Sequence, residues 1–224
     1  MGKLVIVPTP IGNLEDITYR AVKVLQSADL ILAEDTRKTA ILLTKYQIRK
    51  RVVSHHKFNE YKSLDSVVAR LEEGSTIALV TDAGTPSISD PGRLLIRACI
   101  RKGIPVECLP GPTALIPALV VSGFDTDKFC FEGFLPHKKG RTKRIKELAA
   151  ETRTTILYES PQRIVRLIGQ LIPLFGPDRQ ASVARELTKI HEEVLYGTLS
   201  ELYERLSSVT VKGEIVLTIQ GLQQ

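Results

Sequence analysis

The sequence predicts an α/β protein of two domains, with a mainly parallel sheet in the first and a mixed sheet in the second. Three observations carry this. Over the first half of the chain, short β-rich apolar runs alternate with amphipathic segments, as in strands joined by helical crossovers. Beyond residue 111 the spacing changes, and two strand-like runs flank a short polar link, as an antiparallel pair would. At 224 residues the chain is long enough for two separate cores.

In the first domain, residues 1–111, strands are expected at 4–7, 30–33, 51–54, 77–80 and 105–109, where aliphatic and β-branched side chains concentrate. Amphipathic segments near 15–27, 36–47, 60–73 and 91–103 fill the intervals. Strand–helix–strand units make right-handed crossovers, so about five parallel strands are expected. In the second domain, residues 112–224, the expected strands are 129–132, 154–158, 181–185, 192–196 and 214–219. Helices are expected near 113–122, 140–151, 161–172 and 199–208. Ser160-Pro161 should open one of them, with a Ser cap and Pro at the first helical position.

Composition narrows the class. Apolar residues make up 43% and charged residues 25%, ordinary for a globular protein. No apolar run approaches a membrane span, and the strand-like start does not read as a signal peptide. Cys99, Cys108 and Cys130 show no CxxC spacing, so no metal site is expected; buried, reduced thiols fit a cytoplasmic protein. The net charge of +6 points mildly to a polyanionic partner, and the position of the charge decides more than its sum.

Three strand ends are unusual: VPTPIGN at 7–13, TDAGTPSISDPG at 81–92 and LPGPT at 109–113. Each combines Pro, which fixes the backbone, with Gly, which lets it turn sharply and approach a ligand. In open α/β sheets ligands bind beyond the carboxyl ends of the strands, so three such loops on one sheet imply a shared pocket. Neither GxGxxG nor GxxxxGK[ST] occurs, which removes the ordinary dinucleotide and P-loop readings.

PTPIGN, AEDTR (33–37), HHKFNE (55–60), TDAGTPSISDPG, PGPTA (110–114), EGFLP (132–136), YESPQR (158–163), RELTKIHEE (185–193) and KGEIVL (212–217) follow in that order along nearly the whole chain. In this set the chain resembles the tetrapyrrole (corrin/porphyrin) methylase superfamily, and within it the ribosomal RNA small subunit methyltransferase I branch. The resemblance implies a two-domain fold holding S-adenosyl-L-methionine in a cleft between the domains, and a homodimer. It also implies methylation of the ribose 2′-hydroxyl of a cytidine in 16S ribosomal RNA. Carried over residue by residue, it implies cofactor contacts at Pro10, Ala83, Gly84, Thr85, Ile88, Thr113, Ala114, Glu159, Leu187 and Glu214. Ala83-Gly84-Thr85 departs from the Gly-Gly-Asp of tetrapyrrole-modifying relatives in the form expected of the RNA-directed branch.

Methyl transfer from a sulfonium is an in-line displacement, so alignment dominates, and a ribose hydroxyl also needs a proton acceptor. Candidates are Glu34, Asp35, His56, Asn59, Glu60, Asp82 and Asp90. Asp35 or His56 is the expected acceptor, with Arg37 and Asn59 on the RNA side. Glu34-Asp35 could equally serve as acids at a helix start, and a lone His as a surface or hydrogen-bonding group.

HKKGRTKRIK at 137–146 has no acidic residue. Such a run is either a solvated helix face or a phosphate-binding strip. Its place after EGFLP favours the strip, with Lys138, Lys139, Arg141, Lys143 and Arg144 as RNA contacts and Arg163, Arg185 and Lys189 extending it. The partner implied is 16S ribosomal RNA within the small ribosomal subunit. A small-molecule methylase of the same fold and a non-catalytic RNA-binding module are the alternatives.

Overall fold

The computed structural model describes residues 2–223, which cluster into two compact units, one running to Thr113 and the other starting at Ala114. The units divide two residues beyond the expected 111/112 boundary.

The first unit holds strands β1 (Lys3–Ile6), β2 (Leu30–Ala33), β3 (Val52–Ser54), β4 (Thr76–Leu79) and β5 (Val106–Cys108). They form one parallel sheet in the order β3-β2-β4-β1-β5. Between them lie α1 (Tyr19–Ser27), α2 (Thr36–Lys45), α3 (Glu60–Glu72) and α4 (Arg93–Arg101). Alternation along each strand feeds two cores. Val5, Ile31 and Ala78 pack with Leu25, Leu42 and Leu43 of α1 and α2. Leu4, Leu32, Ile77 and Leu79 pack with Val67, Leu71 and Leu95 of α3 and α4. A sheet covered on both faces needs strands apolar at every position, and the LILA of β2 is buried throughout. The segment expected as a helix from residue 15 is broken. Asn13 caps a short 3₁₀ turn at Leu14–Asp16, Ile17 is extended, and Thr18 caps α1 through the Ala21 amide.

The second unit holds β6 (Phe129–Phe134), β7 (Thr154–Glu159), β8 (Gln180–Arg185), β9 (Glu193–Thr198) and β10 (Ile215–Ile219) in the order β6-β7-β10-β8-β9. β6 is parallel to β7 and every other pair is antiparallel, so the sheet is mixed, as expected. Leu217 of β10 sits opposite Leu157 and Val183, and all three face a core with α6 (Arg141–Ala149), α7 (Ile164–Phe175) and α8 (Leu199–Ser207). α5 (Leu115–Ser122) packs on β10 and β8. Thr198 and Glu201 cap α8 reciprocally, each side chain meeting the other's amide.

Two local expectations are corrected. Ser160 does not cap α7: residues 161–163 form a turn, the helix starts at Ile164, and the buried Ser160 hydroxyl has no partner. The Glu159 carboxylate takes the Ser160 amide and the Arg163 guanidinium, and the extra turn follows. Of the cysteines, only Cys99 is buried; Cys108 is exposed and Cys130 half-buried, and all three are free thiols. Burial pushes Cys99 and Cys130 up to about 11, which leaves them protonated and unreactive at neutral pH. No helix among the described residues is long and apolar enough to cross a membrane.

Candidate functional site

In the first unit β4, β1 and β5 are neighbours, so their three carboxyl-end loops leave from one edge of one sheet. The loops bind each other directly. Thr9 and Gly84 exchange two backbone hydrogen bonds of 2.9 Å, the Thr9 hydroxyl donates to the Thr81 carbonyl, and the Thr85 hydroxyl donates to the Pro112 carbonyl at 3.1 Å. A Cβ on Gly111 would lie 2.7 Å from Pro8 Cβ, so glycine there permits the contact between first and third loops. The middle loop bends through positive φ at Gly84, Ser87, Ser89 and Gly92, a conformation that packing must impose on the serines. Of the residues carried over as cofactor contacts, Pro10 and Gly84 are buried, Ala83, Thr85, Thr113 and Ala114 are half-buried, and Ile88 is exposed.

Acidic groups gather at the ends of β2 and β4. The Thr81 hydroxyl donates to Glu34 at 2.8 Å, the Asp35 amide to Asp82 at 2.9 Å, and Lys38 pairs with Asp82 at 2.8 Å. Asp35 caps α2 through the Arg37 amide and grips the Arg37 guanidinium at 2.7 and 3.0 Å, which holds its carboxyl well below the usual range. A carboxylate so stabilised is a weak base, so the structure speaks against Asp35 as acceptor, and Arg37 is engaged by the same pair. Asp90 goes the other way. Burial, reinforced by the charges of Glu34 and Asp82 and opposed by a Thr81 hydrogen bond, lifts it to about 6.

The HHKFNE segment splits into anchors and a presenting turn. His55 is fully buried, with Nδ1 3.2 Å from the Ser63 hydroxyl, and burial lowers its pKa, so the ring is neutral. Glu60, also buried, accepts from the Gly92 and Leu94 amides at the start of α4. Asn59 staples the turn: its Oδ1 accepts from the His56 amide at 2.7 Å and its Nδ2 donates to the Ser54 carbonyl. Its amide is therefore spent on the fold rather than free for RNA. His56 Nδ1 accepts from the Phe58 amide at 3.2 Å, which places the neutral ring's proton on Nε2 and makes that nitrogen a donor.

In the second unit, the carried-over Glu159 is 4% exposed and saturated. It accepts from Arg163 at 2.7 Å and lies 3.6 Å from Arg141, so its side chain is closed to a cofactor. Leu187 is buried, while Glu214 pairs with Lys189 at 3.2 Å and its amide donates to Glu186. The basic run is divided. Arg141 is 8% exposed and donates to Gln170 and the Pro136 carbonyl, and Arg144 grips Glu132 and Glu147. Arg141 is thereby fixed inside the fold, against its expected RNA role, while Arg144 is ion-paired with its side chain 41% exposed. Lys138, Lys139 and Lys143 stay exposed, with Lys143 reaching Glu147 only at 4.0 Å. Arg185 and Lys189 are held by Glu193 and Glu186. Sequence reading missed the Glu60 clamp and the division of the basic run, because neither burial nor a partner 32 residues away appears in a charge pattern.

Comparison with known proteins adds the family. The sequence model of the Tetrapyrrole (Corrin/Porphyrin) Methylases matches residues 3–203. The chain is 47% identical over 221 residues to a protein of Thermotoga maritima named Ribosomal RNA small subunit methyltransferase I, covering 99% of each. A protein of the same name from Escherichia coli O157:H7 is 48% identical over 223 residues, covering 98% of this chain and 78% of the relative. Among solved structures, the cobalt precorrin-4 methyltransferase CbiF superposes with TM-score 0.73 at 19% identity, covering 97% of this chain and 94% of that one. Uroporphyrin-III C-methyl transferase from Thermus thermophilus, complexed with S-adenyl homocysteine, gives 0.71 at 18% identity, covering 98% and 97%. At such identities these structures speak for the fold alone.

Proposed function

The chain belongs to the tetrapyrrole (corrin/porphyrin) methylase family, and from that premise we propose that it is an S-adenosyl-L-methionine-dependent methyltransferase of small-subunit ribosomal RNA. The observation that carries this reading is near-half identity, over essentially the whole chain, to relatives bearing that name. The finer reading is 2′-O-methylation of a cytidine in 16S ribosomal RNA, on the small subunit, by a cytoplasmic homodimer.

The residues of the first unit fit the cofactor. Three loops locked to each other by backbone bonds leave small side chains and main-chain groups at Ala83, Gly84, Thr85 and Thr113, with Pro10 and Ile88 beside them. Such groups suit a compact ligand carrying a carboxylate and ribose hydroxyls, and rigid loops suit an alignment-limited transfer. The cofactor supplies an electrophilic methyl on a sulfonium. For the proton of the ribose hydroxyl, Asp90 is better matched than Asp35, because a carboxyl near 6 is a stronger base than one held ionised by Arg37. His56 is less well placed, because its Nδ1 is taken by the Phe58 amide and its Nε2 donates rather than accepts. Lys138, Lys139 and Lys143 supply exposed charge for phosphates.

Incubation with tritiated S-adenosyl-L-methionine and, separately, 30S subunits, naked rRNA and a tetrapyrrole tests this. Label in 30S rRNA is expected. Label in the macrocycle makes the chain a small-molecule methylase, and cofactor binding without transfer to any acceptor makes it a binding module.

A further inference from the structure

Regular alternation along β6 would send Phe131 and Phe134 to opposite faces of the sheet. A bulge prevents this: Phe131 pairs with Ile156, but Gly133 pairs with Leu157 and Phe134 with Tyr158, leaving Glu132 as the extra residue. Gly133 takes φ +61° to make the turn. Both phenylalanines therefore meet one ring. Tyr158 lies 4.9 Å from Phe131 at 71° and 5.7 Å from Phe134 at 64°, both edge-to-face as ring quadrupoles favour.

Phe134 is nonetheless 52% exposed. The ring is not on a loose loop, since strand pairing fixes its backbone and Tyr158 fixes its tilt. Charge indicates what would cover it. Lys138 and Lys139 follow within five residues, exposed and without an ion pair among the described residues. The nearest acid on the strand, Glu132, is neutralised by Arg144. An apolar protein surface docked here would have to desolvate those lysines. Single-stranded RNA offers a flat base to the ring and phosphates to the lysines at once.

We propose that Phe134, braced by Tyr158, is the platform on which an unpaired base of the substrate RNA stacks, with Lys138 and Lys139 taking the phosphates beside it. This rests on the ribosomal RNA reading and adds to it a substrate-positioning residue. Aromatic stacking accepts any base, so the platform holds the strand while the surroundings choose the nucleotide.

The test uses the full chain, a single-stranded oligoribonucleotide carrying 2-aminopurine, and methyl transfer to 30S subunits. Phe134→Ala and Phe134→Leu should weaken oligonucleotide binding by roughly five- to a hundred-fold and abolish 2-aminopurine quenching. Phe134→Trp should restore both. Affinity for S-adenosylhomocysteine should be unchanged in all three, and the KM for 30S subunits should rise in the first two. Leu keeps apolar bulk without a ring face, so wild-type affinity and quenching in Phe134→Leu overturns the platform. A changed oligomeric state in Phe134→Ala at unaltered RNA affinity also overturns it, making the patch a contact between copies. Failure of the wild-type chain itself to bind RNA or label 30S subunits sinks the ribosomal RNA reading, and the platform with it.

Discussion

The Glu60 carboxylate accepts the Leu94 amide at 3.0 Å and the Gly92 amide at 3.2 Å, so the first residue of α3 caps the first turn of α4. Gly92 provides no side-chain cap of its own, and the buried anion answers amides that the helix leaves unpaired. It also closes the 81–92 loop, whose positive-φ serines need an external hold. Glu60→Ala should destabilise the protein by about 2–3 kcal/mol, the worth of charged hydrogen bonds left open, and Glu60→Gln by less. Urea unfolding reads this, and an unchanged midpoint in the alanine variant refutes the clamp.

His55 sits against that clamp, its Nε2 3.8 Å from Glu60 and without a hydrogen bond. Burial sets its folded pKa below the unfolded 6.5. The unfolded chain therefore takes up the proton first, so the stability of the neutral ring is present above 6.5 and is lost as pH falls through the folded value. His55→Gln should narrow the stability difference between pH 7.5 and pH 5.5. Denaturation at the two pH values decides it, and an undiminished difference would show that other groups carry the acid limb.

Asp90 titrates with the opposite sign. Its folded pKa, about 6, lies above the unfolded 3.8, so ionisation between those values costs the fold and stability falls as pH rises through the window. Asp90→Asn should therefore stabilise the protein at pH 7.5 by about 1–2 kcal/mol, allowing for solvent screening, with the gain fading toward pH 4. If Asp90 accepts the ribose proton, the same variant loses kcat while cofactor affinity holds. Thermal melts at both pH values and single-turnover transfer separate the two effects; a less stable Asn variant contradicts the first, and full activity the second.

The basic run should behave as two populations. Gln at Lys138, Lys139 and Lys143 together should lower RNA affinity and flatten the log K against log salt plot by up to about 0.7 per lost phosphate contact, with Tm unmoved. Arg141→Gln should instead cost about 3 kcal/mol, because a buried charge network loses a member. Fluorescence titrations at three salt concentrations, with melts alongside, would expose any exchange of those roles.

Gly84 is held at φ +83° by its paired bonds to Thr9, while a Cβ there meets only ordinary contacts, Ile11 at 3.6 Å and Pro112 at 3.9 Å. Gly84→Val should cost about 1–3 kcal/mol through backbone strain rather than collision, and loosen the cofactor loops with it. Calorimetry with S-adenosylhomocysteine measures the second effect, and native affinity in a strained variant removes this loop from the cofactor site.

The parallel strands of the first unit were legible because sheets covered on both faces demand continuous apolar runs, as Leu30–Ala33 illustrates. The three Pro/Gly loops were legible too, since backbone shape depends on residue type at each position. Which charges are free was not: Lys138 and Arg141 read alike in sequence, but Gln170, the Pro136 carbonyl and Glu159 hold Arg141 inside the fold and leave Lys138 exposed. Asn59 and Ser160 misled for the same reason, their polar atoms being committed or left without a partner by neighbours the local pattern does not name. The β6 bulge lay further out of reach, because one extra residue turns Phe134 to the other face without altering the apolar pattern. Local chemistry alone determined the elements and their strand-end loops; long-range pairing decided which side chains remain available, because burial and hydrogen bonding belong to partners distant in sequence.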